Sequence, residues 1–287
     1  MSEPFRRRKV QCASPTGLHR MAYLEWGGRD AAQTLVCVHG LSRCARDFDF
    51  LAAEMAGHGW RVVCPDIPGR GESDWLKNPM EYVVPVYVSD MVALIARLDV
   101  ETVHWVGTSL GGLVGMGFAA LPESPVKKLV LNDVGPLLTA ASADRIGAYL
   151  GKWPPLPDIE AAEKYVRAVS APFGPHSDAE WRFLTEHVVR RNPDGTLRMH
   201  YDPAIAVPFN AQVPHTDIAL WPFYDAIRCA TLVLRGELSD LLRRDTAAQM
   251  AARGPRAKVV EIPGVGHAPT LIHADQIAIV RDFLLAG

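Results

Sequence analysis

No stretch of this 287-residue chain reaches the roughly 18 uninterrupted apolar residues that a membrane-crossing helix requires. None of its five cysteines falls into a Cys-x-x-Cys pair or a zinc-ligand spacing. The first residues lack the apolar core and small-residue cleavage pattern of a secretory leader, so the expectation is a cytoplasmic protein with most thiols reduced. Cys37 and Cys64 lie inside apolar runs and read as core packing, whereas Cys44 follows the loop after Gly40 and could line a pocket. Neither sign of charge is in excess: 30 Lys and Arg against 32 Asp and Glu leave a net charge of -2. That balance gives no bulk electrostatic reason to expect nucleic acid or an anionic membrane as partner. The local exception, Arg6-Arg7-Arg8-Lys9, reads as a solvated edge before the first strand. Internal repeats and low-complexity segments are also missing, which argues against a solenoid.

What is present is the composition of an ordinary globular protein, 48% hydrophobic and 22% charged, long enough for one large domain or a domain carrying an insertion. Residues 9–13 and 21–26, separated by Ser14-Pro15-Thr16-Gly17, read as a hairpin. Short apolar runs then recur at 34–38, 61–65, 103–106, 127–131, 231–234 and 258–262, as expected of strands buried on both faces of a parallel sheet. Helical stretches at 47–58, 86–98, 110–121 and 275–285 intervene. Eight strands alternating with helices at this spacing predict an α/β fold with a mostly parallel sheet. Between residues 135 and 228 the apolar strand runs vanish, Pro154, Pro155, Pro157, Pro172 and Pro175 accumulate, and helix-like segments fall at 141–150, 159–169 and 178–190. A structureless loop of that length is uncommon. The expectation is therefore a core of residues 1–134 and 229–287 with a helical lid, 135–228, packed over the carboxyl edge of the sheet.

One stretch carries chemistry. In Gly107-Thr108-Ser109-Leu110-Gly111 a Gly-x-Ser-x-Gly spacing stands between a strand-like run and a helix-like run. A sharp strand-to-helix turn crowds the backbone, and Gly107 and Gly111 remove side chains where the crowding is worst. The serine hydroxyl then projects above the sheet, beside helix N–H groups free to hold an anion. A serine hydroxyl is a poor nucleophile without a base, usually a histidine held in one tautomer by a carboxylate. Of ten histidines, His267 stands out in Gly264-Val265-Gly266-His267-Ala268-Pro269, just after the last strand. For the carboxylate, Asp240 at the end of Gly236-Glu237-Leu238-Ser239-Asp240 is preferred over Glu237 in the same loop and Asp133 after the preceding strand; its alternative reading is a helix cap. The His39-Gly40-Leu41 turn places the Leu41 N–H to form an oxyanion hole with that of Leu110, His39 bracing the loop.

With these parts in the order serine, acid, histidine, the chain resembles the α/β-hydrolase superfamily over nearly its whole length. Asp66-Ile67-Pro68-Gly69-Arg70-Gly71-Glu72-Ser73 adds to the likeness, being similar to that family's Asp-x-x-Gly-x-Gly-x-Ser loop. The resemblance implies the α/β-hydrolase fold with an inserted lid, Ser109, Asp240 and His267 as triad, Leu41 and Leu110 as oxyanion hole, and no metal or organic cofactor. A serine at 109, where haloalkane dehalogenases and epoxide hydrolases would carry an aspartate, sets those classes aside. Leu41-Ser42-Arg43 and Ala268 depart from carbon–carbon hydrolases of meta-cleavage type. The preferred reading is a serine hydrolase of a small to medium carboxylic ester or lactone, working through an acyl-enzyme. The alternatives are carbon–carbon cleavage, a cofactor-free perhydrolase or haloperoxidase, and a small-ligand-binding protein on the same fold, the last opposed by a complete triad. Substrate shape is expected from the lid aromatics, including Trp153, Trp181 and Trp221, and from Arg43, whose guanidinium could read a substrate carboxylate. Lid packing and loop bracing are their bland alternatives, and a homo-oligomer is left open.

Overall fold

The structure, a computed structural model, describes residues 3–212 and 216–286. Its strands are β1 (Phe5–Ser14), β2 (Gly17–Trp26), β3 (Thr34–Val38), β4 (Arg61–Pro65), β5 (Val103–Thr108), β6 (Val126–Asn132), β7 (Leu137–Leu138), β8 (Val189–Arg191), β9 (Leu197–Met199), β10 (Ile218–Ala219), β11 (Ala230–Gly236) and β12 (Lys258–Ile262). Its α-helices are α1 (Asp49–Gly57), α2 (Val84–Leu98), α3 (Leu110–Ala119), α4 (Ala140–Tyr149), α5 (Ile159–Val169), α6 (Asp178–Glu186), α7 (Ala206–Gln212), α8 (Trp221–Ala226), α9 (Arg244–Ala252) and α10 (Ala274–Leu285).

Eight strands form one sheet in the order β1-β2-β4-β3-β5-β6-β11-β12. The first two pairings, β1 with β2 and β2 with β4, are antiparallel; every later one is parallel. Because side chains alternate across a strand, Leu35, Cys37, Val62, Cys64, Val106 and Val130 pack one face under α1 and α10. Val36, Val38, Val63, Trp105, Leu129 and Leu131 pack the other, under α2 and α3. Strands buried on both sides therefore read as unbroken apolar runs. Cys37 and Cys64 are wholly buried among them.

The run Arg6 to Lys9 lies within β1 rather than before it. Arg6 and Arg8 approach Glu25 of β2 at 3.2 and 3.5 Å, and Arg61 does so at 2.7 Å. Glu25 is only 1% exposed, so part of the basic run compensates a buried carboxylate.

Between β6 and β11 the expected helices are present as α4, α5 and α6, joined by α7 and α8. Two small antiparallel ladders, β7 with β10 and β8 with β9, also occur there. At two or three residues each, they are too short to leave a periodic signal. Helix α6 stops before the expected 190 because Val189 already pairs with Met199. Among the described residues, no helix is long and apolar enough to cross a membrane.

Parallel register brings four strand ends level. Val38 is opposite Gly107, and Asn132 is opposite both Thr108 and Leu234. Tight backbone contact holds the turn after β5: an added Cβ on Gly111 would lie 1.9 Å from the Val38 carbonyl oxygen, and one on Gly107 2.2 Å from that of Gly111. We expect Gly111→Ala to lower stability by ~2 kcal/mol or more; an unchanged urea midpoint would show that this contact relaxes without penalty.

Candidate active site

Ser109 sits at the turn between β5 and α3 with φ 52° and ψ −115°, a conformation that a non-glycine residue seldom adopts. Its N–H donates to the Asn132 carbonyl at 3.0 Å, which continues the β5–β6 ladder one step and brings Asp133 alongside. His267 lies in the loop after β12, its Nε2 2.9 Å from Ser109 Oγ and its Nδ1 2.8 Å from Asp133 Oδ2. An ionised carboxylate only accepts hydrogen bonds, so Nδ1–H donates to Asp133 and Nε2 is left to accept the serine proton.

Asp133 also has positive φ, 53°, and is completely buried. Its charge is met by donors: Gly236 N–H bonds Oδ1 at 2.8 Å and Ser239 Oγ–H bonds Oδ2 at 2.6 Å. Ser239 Oγ in turn accepts from the N–H groups of Leu241 and Leu242 at 3.3 and 3.0 Å. A buried carboxylate is tolerated when its oxygens are engaged in this way.

The structure does not bring Asp240 to His267. The loop after β11 turns its Ser239 hydroxyl inward onto Asp133, and Asp240 points outward, half exposed, to the Arg145 guanidinium of α4 at 2.6 and 3.0 Å. Glu237, the other rival, accepts from the Gly264 N–H at 2.9 Å and braces the histidine loop.

At Gly40 an added Cβ would come within 3.8 Å of Ser109 Cβ, so the following turn lies directly over the serine. Neither the Leu41 N–H, on that turn, nor the Leu110 N–H, at the first position of α3, has an acceptor among the described residues. The Leu41 carbonyl is held by Arg70 Nε at 2.8 Å, and Arg70 is itself bonded to Pro68 O and Tyr87 OH. His39 is sealed beneath: Nδ1–H donates to Gly40 O at 2.7 Å and Nε2 accepts from the Ile67 N–H at 3.0 Å. Burial, reinforced by Arg70 and Arg43 against the opposing bond to Gly40, pushes its pKa down to about 3. The Asp66-to-Ser73 loop supports the same turn, Asp66 accepting from the Ala45 and Glu72 N–H groups at 2.7 and 2.9 Å.

Two lobes meet at Ser109, Leu41 and Ile146. One, of about 850 Å³ with its open mouth, is the more polar, with Arg43, Asp47, Arg145, Ser170, His267 and Thr270 set among apolar neighbours such as Phe48, Val169, Phe173 and Leu184. The other, of about 1030 Å³, is apolar, with Val84, Leu110, Leu113, Val134, Leu138 and Phe209 in its wall. Arg43 thus reaches the site, but Nε and Nη2 grip Asp47 at 2.8 and 2.6 Å and its guanidinium lies over Phe173. The three tryptophans line neither lobe. Trp153 packs edge-on to Tyr201, Trp181 against His176, and Trp221 against Tyr224 and Arg253; their large apolar faces are used to hold the insertion together. Arg145 and Tyr149 are site residues that sequence reading missed. Their spacing of four puts them on one flank of α4.

Cys12, His19 and Asp90 place potential metal-ligand atoms within 4.8 Å of one another. They are buried between the β1–β2 hairpin and α2, where His19 Nε2 already pairs with Asp90 at 3.1 Å.

The sequence profile described as the alpha/beta hydrolase family matches residues 35–280. A 3-hydroxybutyrate-oligomer hydrolase from Cupriavidus necator is 51% identical over 290 residues, covering 99% of each chain. A pimeloyl-acyl carrier protein methyl ester esterase from Pectobacterium carotovorum is 28% identical, covering 89% of this chain and 95% of its own. Among solved structures, an alpha/beta hydrolase from Novosphingobium aromaticivorans matches with a TM-score of 0.88 at 35% identity, covering 99% of each chain.

The sealed His39 ties stability to pH. Its folded pKa lies below the unfolded 6.5, so below that pH the unfolded chain binds a proton that the folded one refuses, and stability falls with pH. From pH 6.5 to 5 this one group accounts for about 2 kcal/mol. Urea unfolding at the two pH values is expected to show a steeper loss in the wild type than in His39→Gln; equal losses would refute the assignment.

Proposed function

The chain belongs to the alpha/beta hydrolase family, and from its Ser109–His267–Asp133 relay we propose that it is a serine hydrolase of carboxylic esters working through an acyl-enzyme. The relay carries the reading: a nucleophile, a base 2.9 Å away, and a buried carboxylate that fixes the base in the productive tautomer. As His267 Nε2 takes the hydroxyl proton, Ser109 Oγ attacks the acyl carbon. The N–H groups of Leu41 and Leu110 receive the oxyanion, acting as preorganised donors. Collapse breaks the acyl–oxygen bond, and the proton held by His267 goes to the departing alcohol. Water then attacks the acyl-enzyme with His267 again as base, releasing the acid and restoring Ser109. Asp133 stays ionised throughout and stabilises the imidazolium.

Residues 135–228 act as the lid in this reading, since α4 forms part of both lobes. For the substrate, the name of the Cupriavidus relative supports short oligoesters of a hydroxy acid, which the adjoining apolar and polar lobes accommodate. A lactone would use the same chemistry but leave one lobe unused.

A fluorophosphonate probe is expected to label Ser109, and Ser109→Ala to lower kcat on p-nitrophenyl butyrate by about 10⁶-fold where chemistry is limiting. Asp133→Asn is expected to lower kcat by about 10⁴-fold, while Asp240→Asn keeps more than a tenth of it. The opposite ranking of the two aspartate variants would return the acid role to Asp240.

A further inference from the structure

We propose that the polar lobe is a carboxylate-binding subsite, in which Arg43 and Arg145 receive the free acid group of the leaving alcohol. The inference rests on the ester-hydrolase reading and goes beyond it in saying which half of the ester occupies which lobe.

Direction comes from the base. In the breakdown of the tetrahedral intermediate, the oxygen that departs must lie within reach of His267 Nε2, which supplies its proton. His267, with Ala268, Pro269 and Thr270 after it, lines the polar lobe and not the apolar one. The alcohol half of the ester therefore occupies the polar lobe. The acyl half occupies the apolar lobe, between Leu110, Leu113 and Val134.

The polar lobe is built for an anion on that alcohol. Its two guanidinium groups come from different parts of the chain, Arg43 from the turn after β3 and Arg145 from α4. Each is oriented by a bidentate carboxylate, Asp47 for Arg43 and Asp240 for Arg145, using Nε and Nη2. Arg43 Nη2 also reaches the Leu184 carbonyl at 3.4 Å, the Tyr149 hydroxyl lies beside Arg145, and neither Nη1 is among the sealed, unpartnered polar atoms of the described residues. Two held guanidiniums thus line the same lobe as Ser109. Arg43 stands close to it: an added Cβ on Gly40 would meet Arg43 Cγ at 3.7 Å and Ser109 Cβ at 3.8 Å. Pairing with aspartates fixes the forks and lowers the net charge of the lobe, but guanidinium donors still favour a carboxylate over an uncharged ester group.

The substrate class follows. The leaving alcohol is a hydroxy acid whose own carboxylate is free, so the ester cleaved is the one nearest the carboxyl end of a short hydroxy-acid oligomer. Cleavage breaks the acyl–oxygen bond, the hydroxy acid leaves with the proton from His267, and the remaining acyl unit is released by water.

The test compares a linear 3-hydroxybutyrate dimer with its methyl ester, at pH 7.5, with p-nitrophenyl butyrate as a measure of esterase activity. The wild type is expected to cleave the free-acid dimer with kcat/KM at least about tenfold above the methyl ester. Arg145→Gln, at the more exposed of the two arginines, is expected to reduce that ratio by about tenfold, chiefly through KM. Equal cleavage of acid and methyl ester by the wild type, or a ratio unmoved by Arg145→Gln in a folded variant, overturns the subsite while leaving the esterase reading intact. Failure to cleave any of the three esters overturns both.

Discussion

The buried carboxylate of Asp133 is the constraint on which the site depends. It stands at the end of β6, in the middle of the carboxyl edge, and ties together the Gly236 N–H at the end of β11, the Ser239 hydroxyl in the next loop and His267 in the loop after β12. A single side chain thereby joins the end of β6 to two segments far from it in sequence, residues 236–239 and the His267 loop. Because it is wholly buried, losing one donor would leave charge poorly compensated in an apolar setting, a severe penalty. The same arrangement that stabilises the ion also orients the imidazole.

Backbone strain is present in the same place. Ser109 and Asp133 both adopt positive φ without being glycine, and they follow neighbouring parallel strands linked by the bond from Ser109 N–H to Asn132 O. Such conformations persist only where the surroundings over-determine them. Here the surroundings include Gly111 pressed against the Val38 carbonyl, which lets α3 start beside β3, and the sealed His39 and Arg70 beneath the Leu41 turn. The proposed nucleophile, acid and oxyanion donors are positioned by one rigid sheet edge rather than by mobile loops.

Features governed by local chemistry were legible in the sequence. Continuous apolar runs marked the parallel strands, two glycines marked the crowded turn around Ser109, and a glycine-flanked histidine after the last strand marked His267. The acid was harder because three carboxylates, Asp133, Glu237 and Asp240, all lie at the same edge and differ only in which way a short loop turns. That turn is decided by Ser239, whose hydroxyl reaches Asp133 and leaves Asp240 outside; no periodic pattern encodes it. Trp153, Trp181 and Trp221 misled for a related reason. A large aromatic surface signals burial, but not whether the burial is against substrate or against a neighbouring helix. Arg145 left no motif, since its role depends on where α4 lies across the mouth.

Helix α4 also explains how discrimination can be added to a rigid catalytic edge. Residues four apart share a flank of a helix. Arg145 and Tyr149 line the polar lobe, Ser142 and Ala143 line the apolar lobe, and Ile146 borders both. One helix therefore sets the width of the junction above Ser109 and the chemistry on either side of it. Its position is held from the core by Asp240, through the paired bonds to Arg145. The residue excluded from the relay thus links the insertion to the sheet edge, and the outward turn that separates Asp240 from His267 is what brings it to Arg145.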